Sequence, residues 1–363
     1  MIKSKVDYMD EAAELSLENI KNRKEITKKF VDYFVKNNFK RIQFVGSGSS
    51  YNIAKNASYF VQKVLNIPVS VNWAYTFLNY DSDYVDNDTL VILCSQGGFS
   101  TNTVGAARKL TKMNKKCIAF CKFTDTPLKD EVKLLIDYHF TAGDLSQTKG
   151  FVMSSLFIML CGLEAAAAIK SIDEEQYKKY VEELTLAAKK IPEVKKVSEE
   201  FYANNTEFLK DIDRLMVVGC GPNYGIAMEG ALKYEETYGS HADPFEMEDL
   251  IHGKLCEVTK NSTIFFTDSA SSKTHNRLVE IYNVLFDICD RIVILTDSDD
   301  IKGNYVLRIK NDNISEEVAV LYQALPFQYF TYKTCQDTMV EAHSRERVKC
   351  TKKLATKYPG VKF

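Results

Sequence analysis

The chain lacks a charge excess of either sign. Its 363 residues carry 47 Lys and Arg against 49 Asp and Glu, a formal net charge of −2. A protein that holds nucleic acid through bulk electrostatics needs a basic surplus, so that class is disfavoured, although a local anion site is not. A zinc set is also missing. Of nine cysteines only Cys117 and Cys121 are close, and no His or Cys pair nearby completes four ligands. Most cysteines sit in apolar runs such as VILCSQ and FDICDR, where a thiol behaves as a small hydrophobe. A reducing, cytoplasmic setting is the economical expectation. The charged, helix-like opening MIKSKVDYMDEAAELSLENIKNRKE is unlike a signal peptide. Disorder is excluded as the main state by 20 Tyr, 21 Phe and 45% hydrophobic residues.

What is present suggests two domains, at roughly 150 residues each. One long apolar run, residues 151–169, meets the length criterion for a membrane span but carries Glu164. A carboxylate inside a lone span is costly, so a buried core helix is expected instead. The decisive feature is a repeat at an offset of 173. RIQFVGSGSSYNIA (41–54) and RLMVVGCGPNYGIA (214–227) agree at seven of fourteen positions, including Gly46/Gly219, Gly48/Gly221 and Tyr51/Tyr224. Each copy reads as an apolar strand, a G-x-G turn and a helix. Strands are expected near 41–45, 69–71, 89–94, 116–121 and 135–140, and near 214–218, 263–266, 292–295 and 305–309. Helices are expected near 51–65, 101–113 and 151–169, and near 223–238, 271–287 and 317–340. Strands alternating with helices imply parallel sheets in α/β layers. The organisation expected is an N-terminal helical extension (1–40), a first domain (41–172), a solvated helical linker (173–210), a second domain (211–343) and a basic tail (344–363).

Both G-x-G turns fall where open α/β sheets bind ligands, at the carboxyl ends of strands. No third glycine follows, so a dinucleotide site is disfavoured and no cofactor is expected. After the strand TLVILC comes SQGGFSTNT (95–103). Two glycines flanked by hydroxyls, opening a helix, suit an anion, because the helix end offers free N–H groups and a positive dipole end. The lysine of a nucleotide-binding P-loop is absent, and a phosphomonoester fits better. The alternative is an ordinary capped turn, with Ser100 or Thr101 as the cap.

These residues resemble the SIS (sugar isomerase) domain. GSGSSYNIA with LCSQGGFSTNT matches one such domain. GCGPNYGIAMEGALKYEETYGSHADPFEMEDLIHGKL (219–255) is similar to the isomerase half of glucosamine-6-phosphate synthase and to fructosamine-6-phosphate deglycases. The resemblance covers about residues 40–357. It implies two tandem domains, each a parallel sheet of about five strands flanked by helices, and a homodimer. Carried over by position, Gly48, Ser49, Ser50, Ser95, Gln96, Gly97, Ser100, Thr103 and Gln147 would surround a sugar phosphate. The sequence departs from the family's S-Q-S-G-E-T at Gly97, Phe99 and Ser100. It also has Ala142 where a Glu is usual.

The resemblance further implies Glu236 as the base that moves a proton between C1 and C2, a task suited to a carboxylate. It implies His252 as the group that opens the sugar ring from the partner subunit, against the plainer reading of a surface-loop His. Lys357, with Lys353 second, is the candidate for a Schiff base from the basic tail. Glu229 and Lys233 are either an i,i+4 surface pair or part of the site's ordering, while Glu235 and His241 are expected to be structural. No room for a glutaminase domain precedes residue 41, so glutamine-dependent synthesis is not expected. The leading expectation is an isomerase, deaminase or deglycase acting on an amino-sugar or fructosamine phosphate. The alternative is a non-catalytic sugar-phosphate sensor. No metal, nucleic-acid partner or membrane is expected.

Overall fold

The computed structural model describes residues 5–140, 148–340, 349–350 and 353–359. The chain forms two compact units. One comprises Glu14–Glu182 with Ser344–Phe363, and the other Met1–Ala13 with Glu183–His343. They are called the first and second unit below, after the order of their sheets.

The first unit is built on five strands: β1 (Arg41–Gly46), β2 (Val69–Trp73), β3 (Thr89–Cys94), β4 (Cys117–Cys121) and β5 (Leu135–Asp137). All pair in parallel, in the order β2-β1-β3-β4-β5. β3 and β4 are buried along their whole length, which explains the continuous apolar runs TLVILC and CIAFC. The helix Thr148–Ile169 runs through the interior of this unit, and 83% of its most apolar window is buried. Its Glu164 is held by Arg23 at 3.0 Å and by the Tyr177 hydroxyl at 2.6 Å. A paired carboxylate inside a packed helix is what the core reading requires.

The second unit repeats the plan with β6 (Arg214–Gly219), β7 (His241–Glu246), β8 (Thr263–Thr267), β9 (Arg291–Thr296) and β10 (Tyr305–Arg308). Read from its other edge, the order β7-β6-β8-β9-β10 is that of the first sheet, again all parallel. Its core gathers Met216, Val218, Ile264, Phe266, Tyr282 and Ile294.

Several expectations need correction. Strand β7 lies in GSHADPF, which the sequence reading left without a strand. His241 there, expected to be structural, is exposed and pairs with Asp243 at 3.1 Å. The helix expected over 317–340 is broken into Glu316–Gln323 and Leu325–Thr338, with Pro326 at the second start. The connector Glu174–Asn204 is helical but not merely solvated. Leu184, Ala187, Ala188, Ile191 and Val194 form a buried stripe, and Lys190 meets Asp312 at 2.8 Å. Five cysteines are buried, yet Cys256 and Cys350 are exposed, so the thiols are not all core residues.

Candidate functional site

In a sheet of this order the chain leaves β1 for β2 on one side and β3 on the other. The crevice above the carboxyl ends of β1 and β3 is therefore the switch point where such sheets bind ligands. The G-x-G turn after β1 and the SQGGFS loop after β3 both open there.

The first turn ends in the helix Ser49–Leu65, with Gly48 before it at φ 56. Gly48 faces open space, and Gly46 lies so close to the Ser50 and Tyr51 backbone that a side chain would have only 3.0 Å. Glycines thus bring the helix start down onto the sheet end. Ser49 is buried and Ser50 half-buried. Tyr51 stacks on Trp73 at the end of β2, with ring centroids 3.7 Å apart and planes 5° apart.

The second loop is held internally. The Ser95 hydroxyl accepts from the Gly98 N–H at 3.2 Å, which leaves its own proton to donate. Gly98 has φ +70, and a Cβ there would lie 2.5 Å from the Thr126 hydroxyl oxygen. Gly97 faces open space. Ser100 stands at the N-cap of the helix Thr101–Lys112, but its hydroxyl makes no capping bond. The plainer reading of a side-chain cap is therefore not realised. Thr103 is 1% exposed, and its hydroxyl has no hydrogen-bond partner. Leaving such a group unsatisfied costs about 1–3 kcal/mol.

Gln96 is used differently. Its amide nitrogen donates to the Gly150 carbonyl at 2.8 Å and to the Ser154 hydroxyl at 3.0 Å, tying the loop to the Thr148–Ile169 helix. Beside that tie lies Lys149, only 1% exposed, a cation the sequence reading passed over. The signal for it was the T-K pair opening the apolar run. Gln147 and Ala142 lie outside the described residues.

The C-terminal segment also reaches this loop. Lys357 pairs with Ser100 in an isolated antiparallel bridge. Thr101 N–H donates to the Thr356 carbonyl at 3.2 Å, and Tyr358 N–H to the Phe99 carbonyl at 2.9 Å. Lys357 is exposed as a residue, and desolvation lowers its pKa. Lys353 is exposed.

In the second unit the helix Pro222–Lys233 continues into a π-turn, Tyr234–Tyr238, and stops at Gly239 with φ 83. Glu236 sits in that turn. Lys233 Nζ lies 3.1 Å from Glu229 and 3.0 Å from Glu236. The side chains of Glu229 and Lys233 are 0% and 3% exposed, so the surface-pair reading is wrong, whereas Glu236 is 38% exposed. Burial alone would lower the Lys233 pKa. The two carboxylates outweigh it, and the pKa is raised. His252 caps the short helix Met247–Ile251; its ring is 78% exposed and 3.9 Å from Glu248.

The second unit's own switch point is chemically different. Asp268 occupies the place that Ser95 has in the first copy. It is 1% exposed, accepts from Thr296 at 2.7 Å and meets His275 Nδ1 at 3.0 Å. Burial, partly offset by these two partners, raises its pKa. A carboxylate already fills the place an anion would take. A cleft of about 600 Å³ opens at the amino edge of the same sheet, but both arginines of its lining are already paired, Arg214 with Glu257 and Arg291 with Asp211. Among the described residues no cluster of three or more His, Cys, Asp or Glu is placed for a metal.

Comparison with known proteins agrees with this architecture. The SIS domain family model matches residues 37–161 and 208–333. A glutamine–fructose-6-phosphate aminotransferase of Francisella tularensis is 28% identical over 249 residues, covering 67% of this chain and 40% of that protein. The chain spans less than half the length of these curated relatives. A candidate phosphosugar isomerase from Clostridium difficile 630 superposes with a TM-score of 0.87 at 24% identity, covering 99% of this chain and 100% of that one. A glucosamine-6-phosphate deaminase from Thermotoga maritima gives 0.64 at 20% identity, covering 90% and 96%. Two matched segments, two copies of one sheet order and one hydroxyl-lined loop lead to a single conclusion: the chain belongs to the SIS domain family, with two such domains in tandem.

Proposed function

We propose that the chain is a phosphosugar-processing enzyme of the isomerase, deaminase or deglycase type. The observation that carries this reading is the Ser100–Lys357 pair, which sets an amine of lowered pKa beside an open, hydroxyl-lined anion loop. Gly97, Ser50, Ser95, Ser100 and the Asn102 and Thr103 N–H groups at the start of the Thr101–Lys112 helix would hold the phosphate. Thr103 would give its unsatisfied hydroxyl to the same ligand. Gly48 and Ser49 would shape the neighbouring wall, and Gln96 would act by bracing the loop.

The proposed chemistry needs an open-chain sugar, an electron sink at C2 and a base for the C1 proton. His252, exposed at a helix end, is proposed to move the proton that opens the ring, from one subunit of a homodimer to the other. Lys357 in its neutral form would attack the C2 carbonyl and release water, giving an imine; ammonia as co-reactant would then displace the lysine from C2, leaving the free amine of Lys357 and a substrate imine. Glu236 would move the C1 proton to C2 of that released imine, giving an amino-sugar phosphate, and the same steps in reverse would release ammonia from one. A lysine forms such an imine only when deprotonated, and desolvation increases that fraction at a given pH. The test is reduction with borohydride in the presence of fructose 6-phosphate, followed by peptide mapping. An adduct on Lys357, lost in Lys357→Arg, is expected. Absence of any adduct, with no turnover on a panel of amino-sugar and fructosamine 6-phosphates, would overturn the enzymatic reading.

One observation favours a second reading. Phe99 and Gly97 replace the carboxylate and a hydroxyl of the family's usual loop. A non-catalytic sugar-phosphate-binding regulator would keep the anion site and tolerate those losses. Saturable binding without turnover on the same panel would favour it.

A further inference from the structure

We propose that Tyr358 is a positioning residue: its ring fixes the register of the C-terminal segment and thereby directs Lys357 over the anion loop. The inference rests on the reading of Lys357 given above.

The backbone pattern defines which side chains meet. Thr101 N–H bonds Thr356 O, and Tyr358 N–H bonds Phe99 O. Those two bonds bracket the Ser100–Lys357 pair, so this is a non-hydrogen-bonded antiparallel pair. In such a pair the Cα atoms are about 4.5 Å apart and the side chains lie on one side, close together. Lys357 therefore shares a face with the uncapped Ser100 hydroxyl.

Successive side chains of an extended segment point to opposite faces. Tyr358 must then point away from Lys357, and it does so into the protein. Its ring packs against the apolar cluster containing Val91, Leu93, Val104 and Leu128. Its hydroxyl lies 3.5 Å from Arg108 Nη1, and Arg108 is in turn anchored on Glu131 at 2.6 and 3.0 Å. A slip of one residue would put Lys357 against the apolar cluster and Tyr358 over the loop. Burying a lysine among Val and Leu is strongly disfavoured, so the ring's seat enforces the register. Among the described residues two backbone bonds bracket the bridge, and the seated ring adds a side-chain determinant of the register.

The test compares Tyr358→Phe and Tyr358→Ala in the full chain. Competitive acylation of amines, read at the Lys357 peptide across the lysine titration range, reports that amine's midpoint without requiring turnover. In the wild type and Tyr358→Phe the midpoint should fall below the ordinary lysine value of about 10.4. In Tyr358→Ala it should return to about that value. Where turnover exists, kcat should fall about a hundredfold in Tyr358→Ala, as expected for a misplaced reacting group, with KM for the sugar phosphate within about threefold and most of the loss restored in Tyr358→Phe. An unchanged midpoint in Tyr358→Ala, or equal damage by both substitutions, would overturn the inference. A chain without turnover whose Lys357 midpoint still follows Tyr358 would defeat the enzymatic reading and leave this one standing.

Discussion

Lys233 donates to Glu236 at 3.0 Å from a position almost wholly buried beside Glu229. The buried pair cancels its own charge, and the second carboxylate is left at the protein surface with a fixed cation behind it. Residues four before and three after Lys233 fall on one helix face, so one ammonium spans both carboxylates.

Removing the carboxylate tests its role directly. Glu236→Gln keeps the shape and a hydrogen-bond acceptor but cannot take a proton. Turnover on the identified sugar phosphate should drop by about 10²–10⁴-fold, while the affinity for that ligand stays within about threefold. Steady-state kinetics with a parallel binding titration checks both.

Lys233→Met should behave as a stability mutation. It strands Glu229 as an uncompensated buried charge, at a cost of about 3–5 kcal/mol. Adding Glu229→Gln should recover most of that loss. Because the Lys233 pKa is raised, the stability linked to its charge is present below the ordinary lysine value. It disappears as pH rises through the folded value. Denaturant titrations of the wild type near neutrality and in strong alkali measure that loss.

The two loop glycines should respond in opposite ways. Gly98→Ala forces a left-handed residue and a collision with Thr126, at about 1–3 kcal/mol, and should weaken phosphate binding. Gly97→Ser meets open space and adds a hydroxyl donor. It should tighten phosphate binding by roughly tenfold, as expected for a hydrogen bond to a charged group. Calorimetric titration with fructose 6-phosphate separates the two.

Asp268 offers a pH test in the second unit. Its raised pKa means that the folded state holds the proton above the usual carboxylate range. The associated stability is complete below the unfolded value of about 3.9 and is lost as pH rises through the folded one. Asp268→Asn should therefore gain thermal stability relative to wild type as pH is raised from below the ordinary carboxylate value to above the folded one. A constant difference between the two melting curves would contradict this.

Much of the architecture was legible because duplication prints itself twice. Gly46/Gly219 and Gly48/Gly221 recur since each copy must seat a helix start on a sheet end. The buried strands β3, β4 and β8 announced themselves as unbroken apolar runs. Strand β7 did not, because it is an edge strand. His241 and Asp243 are tolerated on its exposed side, and Pro244 is tolerated where few partners demand an N–H. For Glu229 and Lys233 the sequence leaves a surface pair and an ordering role both open, since local spacing says that two charges can meet but not how deep they lie; their burial removes the first. The reach of Lys357 to Ser100 was visible only as a family habit. A pairing between the two ends of a unit leaves no periodicity in the sequence.

That pairing bears on the order in which the protein is made. Arg108 and Tyr358 are 250 positions apart. At about 5–20 residues per second, the strap is synthesised roughly ten to fifty seconds after the loop it covers. Throughout that interval the loop exists without the segment that pairs with it, so the Ser100–Lys357 bridge is among the last contacts this unit can make.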